Sequence, residues 1–571
     1  MHKTNPSKTM LVLSSMHDVA FFKENSDYVC FSESYSIIQM HPDLDIKYLF
    51  DYSEPEIDLD DLVGAVVSNW YRDSDGADIF RAKEVSIGSS LNRNLLHQFS
   101  HSIRYYFALK KHECNYNTIY MPSNVSKSFK NTANLYLPKV SFYASTGEIN
   151  HMVSSPDRED VAMLPIYSTL SFFLRLLQIP FFRATKNKIL VFNDWTYRKL
   201  DNQDCLNINS FNPIKSFCVR NGSRIKKKAE NIFPEHLNKN IIKSNINREI
   251  SKFDIDGLIK KNLIEIFSNT ILNDYVTYRS SLVKIYSSYI ELFENYKPSM
   301  ILVSSSSATY AQIIFDIAMS KGVKTSYIVD GITSFLDTTF MPKNEDNKNF
   351  KIDYYFSMSK ITQDTIVNKL GNFTKVIQIK APILKPTKET FINKCDIKFV
   401  TIVFPYFFAH SPYGFFDKRY KYVVDVSKTL ISLGYKDIRV KMKQGSDHYR
   451  ENENQLMRSI LAKNGLSTVD LVFGVFSDYL QSSKFFVGPM GTSFFEATYK
   501  KVPFYVYNPQ SFGISQGVIN RCYLFNRIEI VNSLSILKEN ISGKVLTFYD
   551  DKEVFDGANI GDINFQKLSK S

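Results

Sequence analysis

Short apolar runs alternate with stretches of helical period along almost the whole chain. This rhythm constrains the fold most, because strand–helix–strand repeats bury both faces of a sheet when the strands run parallel. In the N-terminal part the pattern predicts strands at residues 10–14, 28–32, 46–50, 118–121 and 140–143. Between them Leu95, Leu96, Phe99, Ile103 and Phe107 recur at helical spacing within residues 91–110, so that helix should bury one face. A strand at 188–192, a long helical stretch over 254–296 and a strand running out through 304–307 follow. Further elements are predicted as helix 309–320, strands 324–329 and 353–357, helix 361–370 and strand 375–379. Two prolines and three lysines with few apolar residues mark 382–394 as a linker. The alternation then restarts, with strands at 399–404, 438–441, 469–472, 485–487 and 504–507 and helices at 420–433, 451–464, near Asp478, and at 493–500. The expected class is α/β, with two Rossmann-like, doubly wound domains: residues 1–385, with helical insertions, and residues 395–571.

Composition narrows the functional classes. A chain of 571 residues with 44% apolar and 22% charged positions has ample core, which excludes a disordered tail, a disulfide-stapled miniprotein and a multispan membrane protein. Its net charge of +12 suits an anionic ligand, an acidic membrane face or a nucleic acid. Cys30, Cys114, Cys205, Cys218, Cys395 and Cys522 form no C-x-x-C pair, and read as buried single thiols in a reducing compartment. The first ten residues hold no long apolar stretch with a cleavage site, so export is not expected and the cytoplasm is the predicted location. Pro165, Arg175 and Pro180 break the apolar segment 163–182, which reads as a core or interfacial helix.

The strongest chemical signal is the turn after the strand at 485–487. A strand that ends in small residues and opens a helix exposes backbone N–H groups suited to an anion. Gly488 and Gly491 let the backbone approach a ligand, and Thr492 and Ser493 can cap the helix and donate to phosphate. Glu496, one turn in, can reach a pair of sugar hydroxyls; a capping box from Ser493 to Glu496 explains the same residues without a ligand. Lys441 and Lys443 stand at the end of the strand 438–441, where a cation would offset phosphate charge, although a solvated strand end accounts for them equally. Asp330 and Gly331 follow the strand 324–329, at the edge where α/β proteins bind ligands.

The segment GPMGTSFFEATYKKVPFYVYNP resembles the donor-nucleotide motif in the C-terminal domain of GT-B glycosyltransferases, particularly bacterial surface-polysaccharide enzymes. That resemblance implies a turn holding the donor phosphate, here Gly491, Thr492 and Ser493, and a glutamate holding ribose, here Glu496. VKMKQGSDH is similar to a strand ending in Lys-x-His-Pro in related enzymes, with the basic character kept and the His-Pro missing. SYIVDGITSF resembles the Glu-Asp-Gly-Phe-Leu-Arg-Ser stretch of retaining β-Kdo transferases of capsule and O-antigen synthesis, whose aspartate is the proposed nucleophile. Asp330 and Gly331 are kept, while Val329, Ile332 and Thr333 depart from it. The likeness spans roughly residues 300–510. It implies two domains facing across a cleft, an acceptor side in 1–385 and a donor side in 395–571. It further implies transfer of a nonulosonic acid, Kdo or pseudaminic acid, from a CMP-sugar to a glycan or lipid-linked glycan of capsule or lipopolysaccharide. No metal or cofactor is implied.

Other residues are weaker candidates. His17 and Asp18 follow the first strand, where such an enzyme places a polar group facing the acceptor, and Glu33 follows the second; surface turns explain them as well. His410 and Tyr413 follow the strand at 399–404, where donor phosphates or base would approach. His97 and His101 are spaced i, i+4 without the glutamate a zinc protease needs. Asp43 with Asp45 and Asp58 with Asp60 form D-x-D pairs in loop or helix-start contexts and read as solvated turns. No P-loop or G-x-G-x-x-G sequence occurs, which removes the anchors for ATPase and dehydrogenase readings. The basic run 215–228 offers a peripheral contact with the inner face of the cytoplasmic membrane. Alternatives are an inverting GT-B transferase using a UDP- or GDP-sugar, a teichoic-acid-type polyol-phosphate transferase, and a glycan- or nucleic-acid-binding scaffold. No nucleic-acid motif is visible, and nucleic acid is not an expected partner.

Overall fold

A computed structural model describes residues 9–15, 18–19, 28–50, 59–123, 130, 133–134, 136–143, 189–192, 205–207, 230–303, 309–328, 352–358, 375–380, 398–405, 418–442, 448–489, 491–509, 530–543, 557–558 and 562–570. The chain opens with β1 (Thr9–Leu13), β2 (Tyr28–Ser32), α1 (Tyr35–Met40), β3 (Lys47–Tyr48) and α2 (Leu59–Asn69). A small antiparallel hairpin, β4 (Arg81–Ala82) and β5 (Val85–Ser86), leads into the long α3 (Ile87–Glu113). Then come β6 (Thr118–Pro122) and β7 (Val140–Tyr143). The first sheet is parallel throughout, in the order β3-β2-β1-β6-β7. Leu11 and Leu13 of β1 pack with Ile37 and Ile46 beneath it.

The second sheet joins β8 (Ile189–Phe192), β9 (Cys205–Asn207), β10 (Met300–Val303), β11 (Lys324–Ile328), β12 (Tyr354–Ser357) and β13 (Lys375–Gln378). Its helices are α4 (Lys239–Ile250), α5 (Gly257–Tyr296) and α6 (Thr309–Ser320). Asp256 caps α5 by accepting from the Leu258 and Ile259 amides, and Lys297 ends it in the left-handed region at φ 47°. The order β13-β12-β11-β10-β8-β9, all parallel, puts the strand first in sequence between the second and third, a doubly wound pattern of the 2-1-3-4-5 kind with a sixth strand added.

The third sheet holds β14 (Phe399–Val403), β15 (Ile438–Lys441), β16 (Asp470–Val472), β17 (Ser483–Gly488), β18 (Phe504–Tyr507) and β19 (Ile530–Val531). It is accompanied by α7 (Lys418–Ser432), α8 (His448–Lys463), the short α9 (Ser477–Leu480), α10 (Thr492–Tyr499) and α11 (Leu534–Gly543), with α12 (Phe565–Leu568) near the chain end. Its parallel order, β16-β15-β14-β17-β18-β19, is 3-2-1-4-5-6 in sequence terms, that of a dinucleotide-binding Rossmann sheet. The fold class is therefore α/β with doubly wound, Rossmann-like parallel sheets.

The first and third sheets belong to one compact unit and the second to another. Residues 1–385 thus carry the first sheet in one unit and the β4–β5 hairpin and the second sheet in the other. Within the first unit α1 packs on α7 and α8, Met40 lies against the core of the third sheet, and Asn464 donates to the Gln39 carbonyl (3.3 Å). The segments 163–182, 215–228, 361–370 and 382–394 lie outside the described residues. Cys30 is half-buried and Cys114 exposed; both are free thiols, so the expectation of uniformly buried cysteines does not hold. Among the described residues no helix is long and apolar enough to cross a membrane.

Candidate functional site at the edge of the third sheet

In a 3-2-1-4-5-6 sheet the connections leave the first and fourth strands in opposite directions, and the crevice beyond their C-terminal ends is where ligands bind. Here those strands are β14 and β17, and β17 ends at Gly488. A side chain at Gly488 would meet Val403 Cβ at 2.8 Å and Phe504 Cζ at 2.9 Å, so only glycine lets the three strands close at this edge. Gly491 is different: its backbone is extended (φ −173°), and among the described residues an added Cβ would meet only the Pro489 carbonyl oxygen, 4.0 Å away.

Gly491 is the N-cap of α10, and no side chain caps the helix. Thr492 and Ser493 occupy its first turn instead, so neither the expected hydroxyl cap nor the Ser493–Glu496 capping box forms. The Phe494 amide already donates to the Gly491 carbonyl (3.0 Å), which leaves the Thr492 and Ser493 amides at the positive end of the helix dipole, the chemistry that receives an anion.

Strand alternation sorts the side chains of this sheet. Val400, Ile402, Ile438 and Val440 join the apolar core shared with α7, whereas Thr401, Arg439, Lys441 and Ser483 point to the opposite face. On that face Arg439 donates from Nε to Thr401 Oγ1 (2.8 Å) and from Nη2 to Ser482 Oγ (2.6 Å), Ser483 Oγ (3.0 Å) and the Tyr479 carbonyl (3.3 Å). Its guanidinium lies over the rings of Phe399 (4.6 Å) and Tyr479 (4.8 Å), which fastens α9 to the sheet.

Two residues further along β15, Lys441 is buried, with Nζ donating to the Met442 carbonyl and standing 5.7 Å from the Tyr479 ring centre. Burial holds its ammonium below the ordinary lysine range, opposed by the negative charge of Asp478. Glu496 is 7% exposed, and burial pushes its carboxyl up to about 7, with Lys500 pulling it down and Asp478 pushing it further up. The charge of Asp478 thus acts on both Lys441 and Glu496. A buried cation, a row of helix amides and a carboxyl poised between its two charge states can hold a phosphate and a neighbouring hydroxyl pair.

Of the residues singled out in the sequence, Gly491, Thr492, Ser493 and Glu496 lie in α10 or at its N-cap, and Lys441 ends β15, two strands away from β17 in the same sheet. Lys443, His410, Tyr413, His17, Asp330 and Gly331 lie outside the described residues. Asp18 is placed: its Oδ2 accepts from the Ser14 amide (3.1 Å) and hydroxyl (3.0 Å) and from the Ser15 amide (2.9 Å), which closes the turn after β1. Arg439 and Tyr479 escaped notice in the sequence. The period-2 position of Arg439 relative to Lys441 was the available signal for the first. Among the described residues no cluster of three or more His, Cys, Asp or Glu side chains could hold a metal ion.

No protein-family model matches the chain, and no curated protein matches it. Among solved structures the chain is similar to the UDP-GlcNAc 2-epimerase of Methanocaldococcus jannaschii, at 10% identity over 67% of this chain and 99% of that one, with a TM-score of 0.37. It is also similar to the UDP-GlcNAc 2-epimerase of Neisseria meningitidis, at 14% identity over 51% and 82% of the two chains and a TM-score of 0.35. A glycosyltransferase from Rickettsia africae matches at 11% identity over 68% and 93%, with a TM-score of 0.31.

Proposed function

We propose that the chain is a glycosyltransferase of the GT-B kind and that the edge of its third sheet binds the donor nucleotide sugar. The observation that carries this reading is the strand order 3-2-1-4-5-6, which sets Gly488, the α10 entrance, Lys441 and Glu496 at one ligand-binding edge. The donor phosphate sits on the Thr492 and Ser493 amides, Lys441 offsets its charge, and Glu496 accepts from the ribose hydroxyls.

The resemblance of the segment around Asp330 adds the finer reading. The donor is a CMP-linked nonulosonic acid, Kdo or pseudaminic acid, and the product a surface polysaccharide or lipopolysaccharide glycan. The Asp330 carboxylate attacks the anomeric carbon, the bond to the phosphate oxygen breaks, and CMP leaves with the electron pair. The acceptor hydroxyl then attacks the same carbon, displaces Asp330 and loses its proton, so two inversions give retention. Gly331 leaves room for the sugar, while His17 faces the acceptor and His410 and Tyr413 border the donor. Lys443 supplements Lys441. The enzyme works in the cytoplasm at the inner membrane face, held by the basic run 215–228, without a metal or cofactor.

Thermal shift with CMP, UDP and GDP, followed by turnover of CMP-Kdo or CMP-pseudaminate with a glycan acceptor, tests both levels. Stabilisation by a nucleotide supports the site. Turnover with a UDP- or GDP-sugar and none with any CMP-sugar would refute the donor assignment, and Asp330→Asn should abolish turnover while leaving nucleotide affinity intact.

A further inference from the structure

Asn508 follows β18 directly and is only 4% exposed. Its amide donates to the Val531 carbonyl (2.8 Å), which extends the β18–β19 ladder by one residue and keeps the strand's alternation. Phe504 sits on the α10 face, its ring centre 5.5 Å from that of Phe494 and 6.0 Å from that of Phe486. Tyr505 and Tyr507 belong to the core on the other face, with Tyr507 5.2 Å from Tyr422 of α7. Asn508, four residues after Phe504, therefore falls on the α10 face, at the edge where α10 begins. Its Oδ1 is buried and has no hydrogen-bond partner among the described residues. Buried polar atoms in folded proteins are almost always paired, so an orphan acceptor at a ligand edge is suited to a hydroxyl donor of a ligand.

The position of Asn508 also orders the ligand. Lys441 ends β15, and the strands β14, β17 and β18 follow it across the sheet, so Asn508 lies three strand spacings away, roughly 14 Å. The α10 entrance comes between them, at the end of β17. In the strand order Lys441 lies on the β15 side of that entrance and Asn508 on the β18 side. A carboxamide oxygen is a neutral acceptor: it repels phosphate oxygens weakly and binds hydroxyl donors well.

We infer that Asn508 determines specificity for the sugar half of the donor, its Oδ1 accepting a hydrogen bond from a sugar hydroxyl while the nucleoside lies on the Lys441 side. This rests on the donor site proposed above at the α10 entrance. The sugar and the nucleoside then extend in opposite directions from the phosphate along the sheet edge.

The test is isothermal titration of the wild type and Asn508→Leu, a change of similar size without polar atoms, with CMP, UDP and GDP and with CMP-N-acetylneuraminate, UDP-GlcNAc and GDP-mannose. Asn508→Ala serves if the leucine protein does not fold. The expected result is nucleotide affinity within about twofold of wild type and a loss of about tenfold for the nucleotide sugar that the wild type binds best. Equal weakening of nucleotide and nucleotide sugar would overturn the inference, because a merely structural role or a contact with the nucleoside lowers both. Unchanged affinity for both would overturn it while leaving the donor site standing. A wild type that binds none of the six probes would bring down the donor site, and this inference with it.

Discussion

Glu496 is the residue whose chemistry is most exposed to test. Its carboxyl is pushed up to about 7 by burial, above the ordinary value of 4.5, so the native state holds a proton that the unfolded chain releases near pH 4.5. Below that ordinary value both states are protonated and the stabilising contribution is complete. Between pH 4.5 and 7 it is progressively lost, and above 7 the native site carries the charge at a cost. Glu496→Gln, which stays neutral, should match wild type near pH 4.5 and exceed it at pH 8 by about 1–3 kcal/mol, read from denaturant unfolding at the two pH values. A variant less stable than wild type at pH 8 would mean that the charged carboxylate is paired. The same substitution should weaken nucleotide binding, because the amide loses one of the acceptors that a carboxylate offers to a hydroxyl pair.

At the scale of elements, the edge of the third sheet depends on how α9 is held. Arg439 ties it down through Thr401, Ser482, Ser483 and the Tyr479 carbonyl, and the Tyr479 ring in turn stands over Lys441. Arg439→Met keeps the bulk and removes every donor, leaving buried hydroxyls without their partner. A loss of about 2–4 kcal/mol is expected. Hydrogen exchange should quicken over 474–482 more than over β14, and equal change in both would show that Arg439 steadies the whole sheet and not α9. Elements of this kind were readable where side-chain period and length agree: the apolar face of TYAQIIFDIAMS fits α6, and IRVK and FYVY fit β15 and β18. The six-residue α1 and the two-residue β19 are too short to show a period, and tertiary packing alone makes them regular, whereas β3 falls inside the strand expected at 46–50. The site followed the same division. Lys441, Gly491 and Glu496 announced themselves as a cation, a small residue and an acid at strand ends, whereas Asn508 before Pro509 reads as an ordinary turn until its burial is known.

For the whole molecule, the notable feature is that the first sheet joins the third and not the second, which follows it in sequence. No local signal predicts this, because the order of parallel strands and the partners of a sheet are decided by contacts distant in the chain. The junction runs through α1 against α7 and α8, with Met40 packed on the core that carries the nucleotide edge. Met40→Lys places an ammonium against that core and should lower stability by about 1–3 kcal/mol, with the far-UV and nucleotide-stabilised transitions shifting together. A drop confined to a separate, nucleotide-insensitive transition would show that the first and third sheets unfold independently.

The donor site at the α10 entrance is the claim on which the functional account turns, and a crystal structure of the protein soaked with CMP, UDP or GDP addresses it most directly. The account predicts phosphate oxygens on the amides of Thr492 and Ser493, the ribose hydroxyls at Glu496 and the Lys441 side chain turned toward the phosphate. A nucleotide bound instead at the strand ends of the first or second sheet, or with its phosphate away from α10, would contradict it.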